Sequence, residues 1–134
     1  MRPEKLESAV ALAVKAGHVL VATADSRGMP HVTAAAKISL ADDGDVAVTE
    51  WFCPGTVANL QKNKCVSIVV WAKDLDTGYQ LIGRLAGVVD VGVLDGYSPG
   101  REGKPPLPQV EKRLLVKVEK ILDFRLGPHS DVED

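Results

Sequence analysis

The chain has 134 residues, 46% of them hydrophobic and 25% charged, proportions typical of one globular domain rather than a disordered protein. The formal net charge of −2 implies no broad basic surface, which argues against nucleic acid as the main partner. No apolar run reaches the roughly 18–20 residues that a membrane span needs, and there is no signal-peptide pattern. Two cysteines are too few for a disulfide framework, so we expect a cytoplasmic protein that does not contact a membrane.

The first predicted element is a helix over residues 3–16, in which apolar residues recur with a period of 3.6. Pro3 suits a first helical position, and Gly17 supplies the left-handed residue that often ends a helix. The apolar stripe consists of Leu6, Val10, Ala13 and Val14.

Two strands joined by a turn follow this helix. Residues 18–24 are apolar and β-branched, and residues 25–28 form a turn that ends in glycine. From Pro30 to Leu40 the residues alternate with a period of two, which predicts one strand with one face in a core and a hairpin with the preceding strand. The buried face is expected to hold Val32, Ala34, Ala36, Ile38 and Leu40, and the other face His31, Thr33, Ala35, Lys37 and Ser39.

The rest of the chain contains four more predicted strands and one short helix, at residues 46–52 (strand), 56–62 (helix), 65–72, 79–91 and 113–124 (strands). Pro54-Gly55 ends the first of these strands, and Thr56 can cap the helix. Gly83 and Gly87 predict bends or bulges. Residues 92–110 are rich in glycine and proline, which predicts the most mobile internal loop, and residues 127–134 are expected to form a flexible tail.

Six strands at short spacing and two short helices predict a mainly β fold. Strands of this kind, separated by turn residues, are typical of a closed or nearly closed antiparallel barrel. The chain shows no internal repeat, so we expect a single domain over residues 1–134, with one helix covering the barrel.

Common catalytic motifs are missing from the sequence. It contains no CxxC, HExxH, GxSxG, P-loop or GxGxxG pattern, and His18, His31 and His129 are scattered, which is typical of surface or hydrogen-bonding residues. Any chemistry is therefore expected to come from a bound cofactor.

The segment Trp51–Leu60 has the arrangement of an anion site. A strand ends, a glycine turn follows and a helix starts at a threonine, so free backbone N–H groups and a hydroxyl face the same point. Lys37, on the polar face of a nearby strand, can add a charge-assisted contact. These residues alone leave two interpretations open, an ordinary helix start and a phosphate site.

Four segments, in this order, carry a resemblance to a known family: VATADSRGMPHV, KISLADDGDVAV, PGTVANLQKNKCVSIVVW and GYQLIGRLAG. From about residue 4 to about residue 126, the chain resembles the pyridoxamine 5′-phosphate oxidase-related FMN-binding proteins, especially their short bacterial and archaeal members. The resemblance implies a six-stranded antiparallel split β-barrel with two short helices. It also implies a homodimer that binds FMN in a groove between the subunits.

The resemblance also implies which residues bind FMN. Thr33, Ala35, Ala36 and Lys37 match the segment along the isoalloxazine ring and the ribityl chain, and Gln80 matches a glutamine that reaches the flavin from the partner subunit. The loop at the phosphate and the ring edge is matched by Trp51, Cys53, Gly55, Thr56 and Asn59. Many relatives have lysine or arginine where this chain has Gly55, so Lys37, Lys62 or backbone N–H groups would have to hold the phosphate here.

The implied function is that of an FMN-dependent oxidoreductase or electron carrier with a small-molecule redox partner. The basic and aromatic carboxy-terminal segment of true pyridoxamine phosphate oxidase has no counterpart, so vitamin B6 oxidation is not expected. The alternative is a split barrel without redox turnover that holds another ligand, such as a deazaflavin or haem, or none. The glycine at position 55 favours this alternative.

Overall fold

The computed structural model describes residues 3–51, 53–94 and 109–133. These residues form a mainly β fold, as predicted, with two α-helices and one short 3₁₀ helix. The helices are α1 (Pro3–Ala16), the 3₁₀ helix (Asp42–Gly44) and α2 (Pro54–Lys62). The strands are β1 (Val19–Ala24), β2 (Pro30–Ala35), β3 (Lys37–Leu40), β4 (Asp45–Trp51), β5 (Cys65–Ala72), β6 (Thr77–Leu94) and β7 (Gln109–Asp123).

The strands form one antiparallel sheet in the order β2-β1-β5-β6-β7-β4-β3. β2 and β3 follow each other in the chain, yet they lie at opposite edges of this sheet. The sheet must therefore curl until its two edges meet, which produces the nearly closed barrel. Ala36, the single residue between these strands, donates a backbone hydrogen bond to the carbonyl oxygen of Thr49 on β4, at 3.1 Å.

The described residues form seven strands where six were expected, because the strand expected over residues 30–40 is divided at Ala36. In β2 the inward residues are Thr33 and Ala35, whereas in β3 the inward residue is Ile38, so the alternation changes phase at the bend. Val32 and Ala34, expected in the core, are exposed, and so are Ala36 and Leu40. Side chains alternate strictly only along a regular strand, and the bend from one sheet edge to the other interrupts that regularity.

The core lies between the inner face of the barrel and α1, which packs on β3, β5 and β6. Its largest fully buried side chains include Ile68, Leu81 and Leu114. Burial of each side chain of this size contributes about 1.5–3 kcal/mol. The buried residues of α1 are Leu6, Ala9 and Ala13, and Val10 packs against them. Val14 was expected on this stripe but is 72% exposed.

Glycines fix the course of the longest pair of strands, β6 and β7. The register between them shifts at Ile82/Gly83, at Leu85/Gly87 and again nearer the end of β6, which confirms the predicted bulges at the two glycines. β6 continues to Leu94 and β7 begins at Gln109, so both ends of the predicted loop 92–110 are strand. Residues 95–108, and the mobility predicted for them, lie outside the described residues.

The carboxy-terminal segment is attached to the turn between β5 and β6. The carboxylate of Asp76 accepts hydrogen bonds from Nε1 of Trp71, at 3.2 Å, and from the backbone N–H of Leu126, at 3.0 Å. The ring of Phe124 packs edge-on against Trp71, with centroids 5.9 Å apart. Among the described helices, none is long and apolar enough to span a membrane.

Candidate functional site

The first turn of α2 begins earlier than the sequence predicted. Cys53 is the N-cap residue, with extended backbone, and Pro54 takes the first helical position. Thr56 is therefore the third helical residue and does not cap, which corrects the prediction that it starts the helix. Proline suits that first position because its φ is already helical and it lacks the N–H that would go unpaired there. No side-chain hydrogen bond caps this turn, and the N–H groups of Gly55 and Thr56 have no intrahelical partner.

Four polar side chains attach α2 to the barrel, and we call them the threonine–asparagine cluster: Thr23, Thr33, Thr56 and Asn59. The hydroxyls of Thr33 and Thr56 lie 3.1 Å apart, and Nδ2 of Asn59 donates to Oγ1 of Thr23, also at 3.1 Å. Thr23 and Thr56 are almost fully buried. The structure thus brings together Thr33, Thr56 and Asn59, three of the residues predicted at the site.

His31 lies directly against the first turn of α2. A Cβ atom at Gly55 would be 3.2 Å from Nε2 of His31 and 3.3 Å from its Cε1, so the imidazole fills the space of a side chain at position 55. Nε2 is buried and has no hydrogen-bond partner among the described residues. The sequence analysis did not place His31 at the site. The sequence did contain one indication that His31 is near the site, because it lies two residues before Thr33 and therefore on the same face of β2.

The remaining predicted residues of this segment lie around the bend between β2 and β3. Ala35 is buried at the end of β2, Ala36 is exposed, and Lys37 is exposed at the start of β3, paired with Thr49. Lys62 lies at the far end of α2. That helix is nine residues long, and a rise of about 1.5 Å per residue puts its ends about 12 Å apart. Lys62 is therefore not at the start of the helix, which leaves Lys37 as the lysine predicted for the phosphate.

Trp51 and Gln80 complete the predicted set. Trp51 is the last residue of β4, and the role predicted for its side chain lies outside the described residues. Gln80 lies on β6 between inward-facing neighbours, so it is on the outer wall of the barrel, where its Nε2 donates to Oγ of Ser67 at 2.8 Å. One chain does not bring Gln80 to the threonine–asparagine cluster, so its contribution from a partner subunit stays a prediction.

The outer wall also carries an apolar surface on β1 and β2, which we call the outer patch: Leu20, Ala22, Val32 and Ala34. The strand register pairs Leu20 with Ala34 and Ala22 with Val32. Leu20 is 41% exposed and Val32 is 58% exposed, so two large apolar side chains face solvent on adjacent strands. Within the described ranges, no group of histidine, cysteine, aspartate or glutamate residues is arranged to hold a metal ion.

Comparison with solved structures shows the same barrel in other proteins. A pyridoxamine 5′-phosphate oxidase-related, FMN-binding protein from Nostoc punctiforme aligns with a TM-score of 0.64 at 12% identity, over 97% of this chain and 88% of that chain. This chain has the fold of the pyridoxamine 5′-phosphate oxidase-related FMN-binding proteins. The resemblance inferred from the sequence is therefore confirmed at the level of the fold.

Two other split barrels with this fold have names that mention different ligands. An F420 reductase aligns with a TM-score of 0.58 at 16% identity, over 86% of this chain and 94% of that chain. HutZ, the haem storage protein from Vibrio cholerae, aligns with a TM-score of 0.55 at 18% identity, over 94% of this chain and 99% of that chain. No protein-family model and no curated protein matches the sequence. The shared fold alone does not select the ligand.

Proposed function

We propose that this protein binds FMN, with the flavin phosphate at the first turn of α2, and that it acts as an oxidoreductase or electron carrier. The observation that carries the proposal is the uncapped first turn of α2, held against β2 by the Thr33–Thr56 hydroxyl pair. A helix start attracts an anion because its free N–H groups and the helix dipole act together.

The residues at this turn fit the polar end of FMN. The N–H groups of Gly55 and Thr56 are donors for phosphate oxygens. In the Thr33–Thr56 pair only one hydroxyl donates to the other, so the second keeps a proton for a further acceptor. Lys37, exposed on β3, would add positive charge.

When bound, FMN supplies the transfer of hydride or electrons to and from a small-molecule redox partner. The part played by this chain is to hold and orient the flavin. The threonine–asparagine cluster fixes α2 on β1 and β2, so the donors of its first turn keep their positions relative to Lys37.

A homodimer is part of the proposal. The outer patch exposes Leu20 and Val32 on adjacent strands, and an exposed apolar surface of this kind is often a contact surface. A second subunit packed on the outer walls would also explain how Gln80, which lies on that wall, can reach a flavin bound at the neighbouring α2.

The alternative function is a split barrel that holds a deazaflavin or haem, or no cofactor. It is favoured by Gly55, which brings no positive charge to the first turn of α2. The two functions differ in whether the phosphate of FMN is recognised.

The test is a titration of the purified protein with FMN and with riboflavin, followed by quenching of flavin fluorescence. A hydrogen bond to a charged group contributes about 1.5–3 kcal/mol, and riboflavin lacks the phosphate that would accept it. The affinity for FMN is therefore expected to exceed the affinity for riboflavin by about tenfold or more. Equal affinity for both would contradict phosphate binding at α2. If neither flavin binds while haem or a deazaflavin does, the alternative function is correct.

A further inference from the structure

The segment that follows β7, residues 124–133, folds back toward the barrel, and we call it the strap. Its base is fixed, because the backbone N–H of Leu126 donates to both carboxylate oxygens of Asp76, at 3.0 and 3.2 Å. Farther along, the strap turns at residues 128–131, where His129 has a left-handed φ of 59°. The base therefore stays at the turn between β5 and β6 while the rest of the strap takes another direction.

This course brings Glu133, at the acidic tip of the strap, to a cavity of about 580 Å³ on the outer wall of the barrel. The residues that line this outer-wall cavity include Ala22, Cys65, Ser67, Arg84, Lys120 and Glu133. Ala22 also belongs to the outer patch, and Ser67 accepts the hydrogen bond from Gln80. The tip of the strap therefore adjoins the surface that is proposed to contact the second subunit.

The tip of the strap is held less firmly than its base. Leu126 and Val132 are 77% and 57% exposed, and neither Asp131 nor Glu133 forms a salt bridge within the described residues. Lys120, which lines the same cavity, forms none there either. An attraction between exposed charges is weak, and a segment with few buried contacts opens at a low cost in free energy. The tip can therefore leave the cavity while the barrel stays folded.

We propose that the strap is an autoinhibitory device that competes with the second subunit for the outer wall. When the strap is closed, Glu133 covers part of the outer-wall cavity, and when it is displaced, that part is available to the partner. This inference rests on the proposed homodimer. Because a subunit dimerises only with its strap open, a strap that is closed for about nine-tenths of the time raises the apparent dissociation constant about tenfold.

The first variant releases the base of the strap. Asp76→Gly removes the carboxylate that holds Leu126, and glycine suits the left-handed φ of 45° at this position. We expect the dissociation constant of the dimer, measured by sedimentation equilibrium, to fall about tenfold or more below that of the wild type. Damage to the fold would weaken the dimer instead, so the direction of the change separates the two effects.

A second variant keeps the base and removes the charge of the tip. Asp131→Asn combined with Glu133→Gln should also lower the dissociation constant. At about 1 M salt its difference from the wild type should shrink, because screening weakens the attraction between the tip and Lys120. The matched control is Asp74→Asn combined with Glu7→Gln, which removes two exposed carboxylates outside the strap and should keep the wild-type dissociation constant.

The reactivity of Cys65 reports on the strap without reference to the dimer. Its side chain is exposed and lines the outer-wall cavity together with Glu133. In a Cys53→Ser background, and at a protein concentration low enough to keep the chain monomeric, Asp76→Gly should speed the alkylation of Cys65 by a neutral maleimide several-fold. Asp74→Asn in the same background should leave the rate unchanged.

The outcomes separate this inference from the proposed function. Faster alkylation together with a tighter dimer supports the strap. Unchanged alkylation in Asp76→Gly would overturn it, and so would faster alkylation with an unchanged or weaker dimer, although a dimeric wild type would leave the proposed homodimer standing. If neither the wild type nor Asp76→Gly dimerises, the proposed homodimer fails, and the inference fails with it.

Discussion

At the scale of single residues, the site depends on two pairs of polar side chains, each made of one buried and one half-buried residue. Thr33 with Thr56, and Thr23 with Asn59, satisfy each other where α2 meets the barrel. The net contribution of a hydrogen bond to the free energy of unfolding is only about 0.5–1.5 kcal/mol, but a buried polar group left without its partner costs about 1–3 kcal/mol. These pairs therefore specify where α2 sits more strongly than they stabilise the fold.

The Thr33–Thr56 pair can be tested for its two roles separately. Thr56→Val should destabilise the protein by about 1–3 kcal/mol, because it leaves the hydroxyl of Thr33 without its partner. The double variant Thr33→Val/Thr56→Val should recover most of that loss, since no orphaned hydroxyl remains. Urea denaturation measures the stability. Fluorescence titration of the double variant should still show a reduced preference for FMN over riboflavin, and an unchanged preference would remove the hydroxyl pair from the phosphate site.

Some of these residues could be predicted from sequence and others could not. The sequence from Pro54 to Leu60 predicts a helix start with a hydroxyl near it. Thr56 and Asn59 do lie in the threonine–asparagine cluster. The sequence analysis placed the cap at Thr56 because two local preferences compete. Pro54 favours the first helical position and Thr56 favours the cap, and in the structure Pro54 takes the first helical position. The contact of His31 with Gly55 joins residues 24 positions apart in the chain, so no local pattern could reveal it.

At the scale of secondary-structure elements, local pattern predicts that a strand exists better than it predicts which face is buried. The alternation over residues 30–40 is unbroken in the sequence, and the small side chains of Ala34, Ala35 and Ala36 fit either face. Closure of the barrel decides the matter, because the chain must cross from one edge of the sheet to the other at Ala36. Such long-range constraints override local preference.

The bulges between β6 and β7 provide a prediction with a matched control. A Cβ at Gly83 would overlap the carbonyl oxygen of Lys117, so Gly83→Ala should destabilise the protein by about 1–3 kcal/mol, the range for overpacking. At Gly87 the nearest atom is Cδ1 of Leu115, at 3.9 Å, so Gly87→Ala should have little effect. Urea denaturation of the two variants measures the difference. Equal stability would mean that the tight register at Gly83 does not hold in solution.

At the scale of the whole molecule, the barrel has an inner face that packs in the core and an outer wall that is partly exposed. Its inner face and α1 form the core, whereas its outer wall carries the outer patch and Gln80. The proposed flavin site would need two subunits, since one would provide the first turn of α2 and the other would provide Gln80 from its outer wall. Assembly and ligand binding are therefore expected to depend on each other.

A charge placed on the outer patch tests this dependence. Val32→Lys should shift the protein from dimer to monomer in sedimentation velocity and should weaken FMN, because a charge cannot be buried unpaired at a contact surface. The control is Val14→Lys, at a position on α1 that is 72% exposed and lies outside the outer patch. A wild type that sediments only as a monomer at micromolar concentration would contradict the homodimer and the role assigned to Gln80.

The single-residue connection at Ala36 has a consequence for how the chain folds as it is synthesised. β1–β2 and β3–β4 form as two local hairpins, but each finds its other neighbour much later, β1 in β5 and β4 in β7. An isolated hairpin is only marginally stable in water, so the nascent amino-terminal half has no finished sheet to join. We therefore expect both hairpins to keep their apolar faces uncovered until β7 pairs with β4 and β6 and closes the barrel.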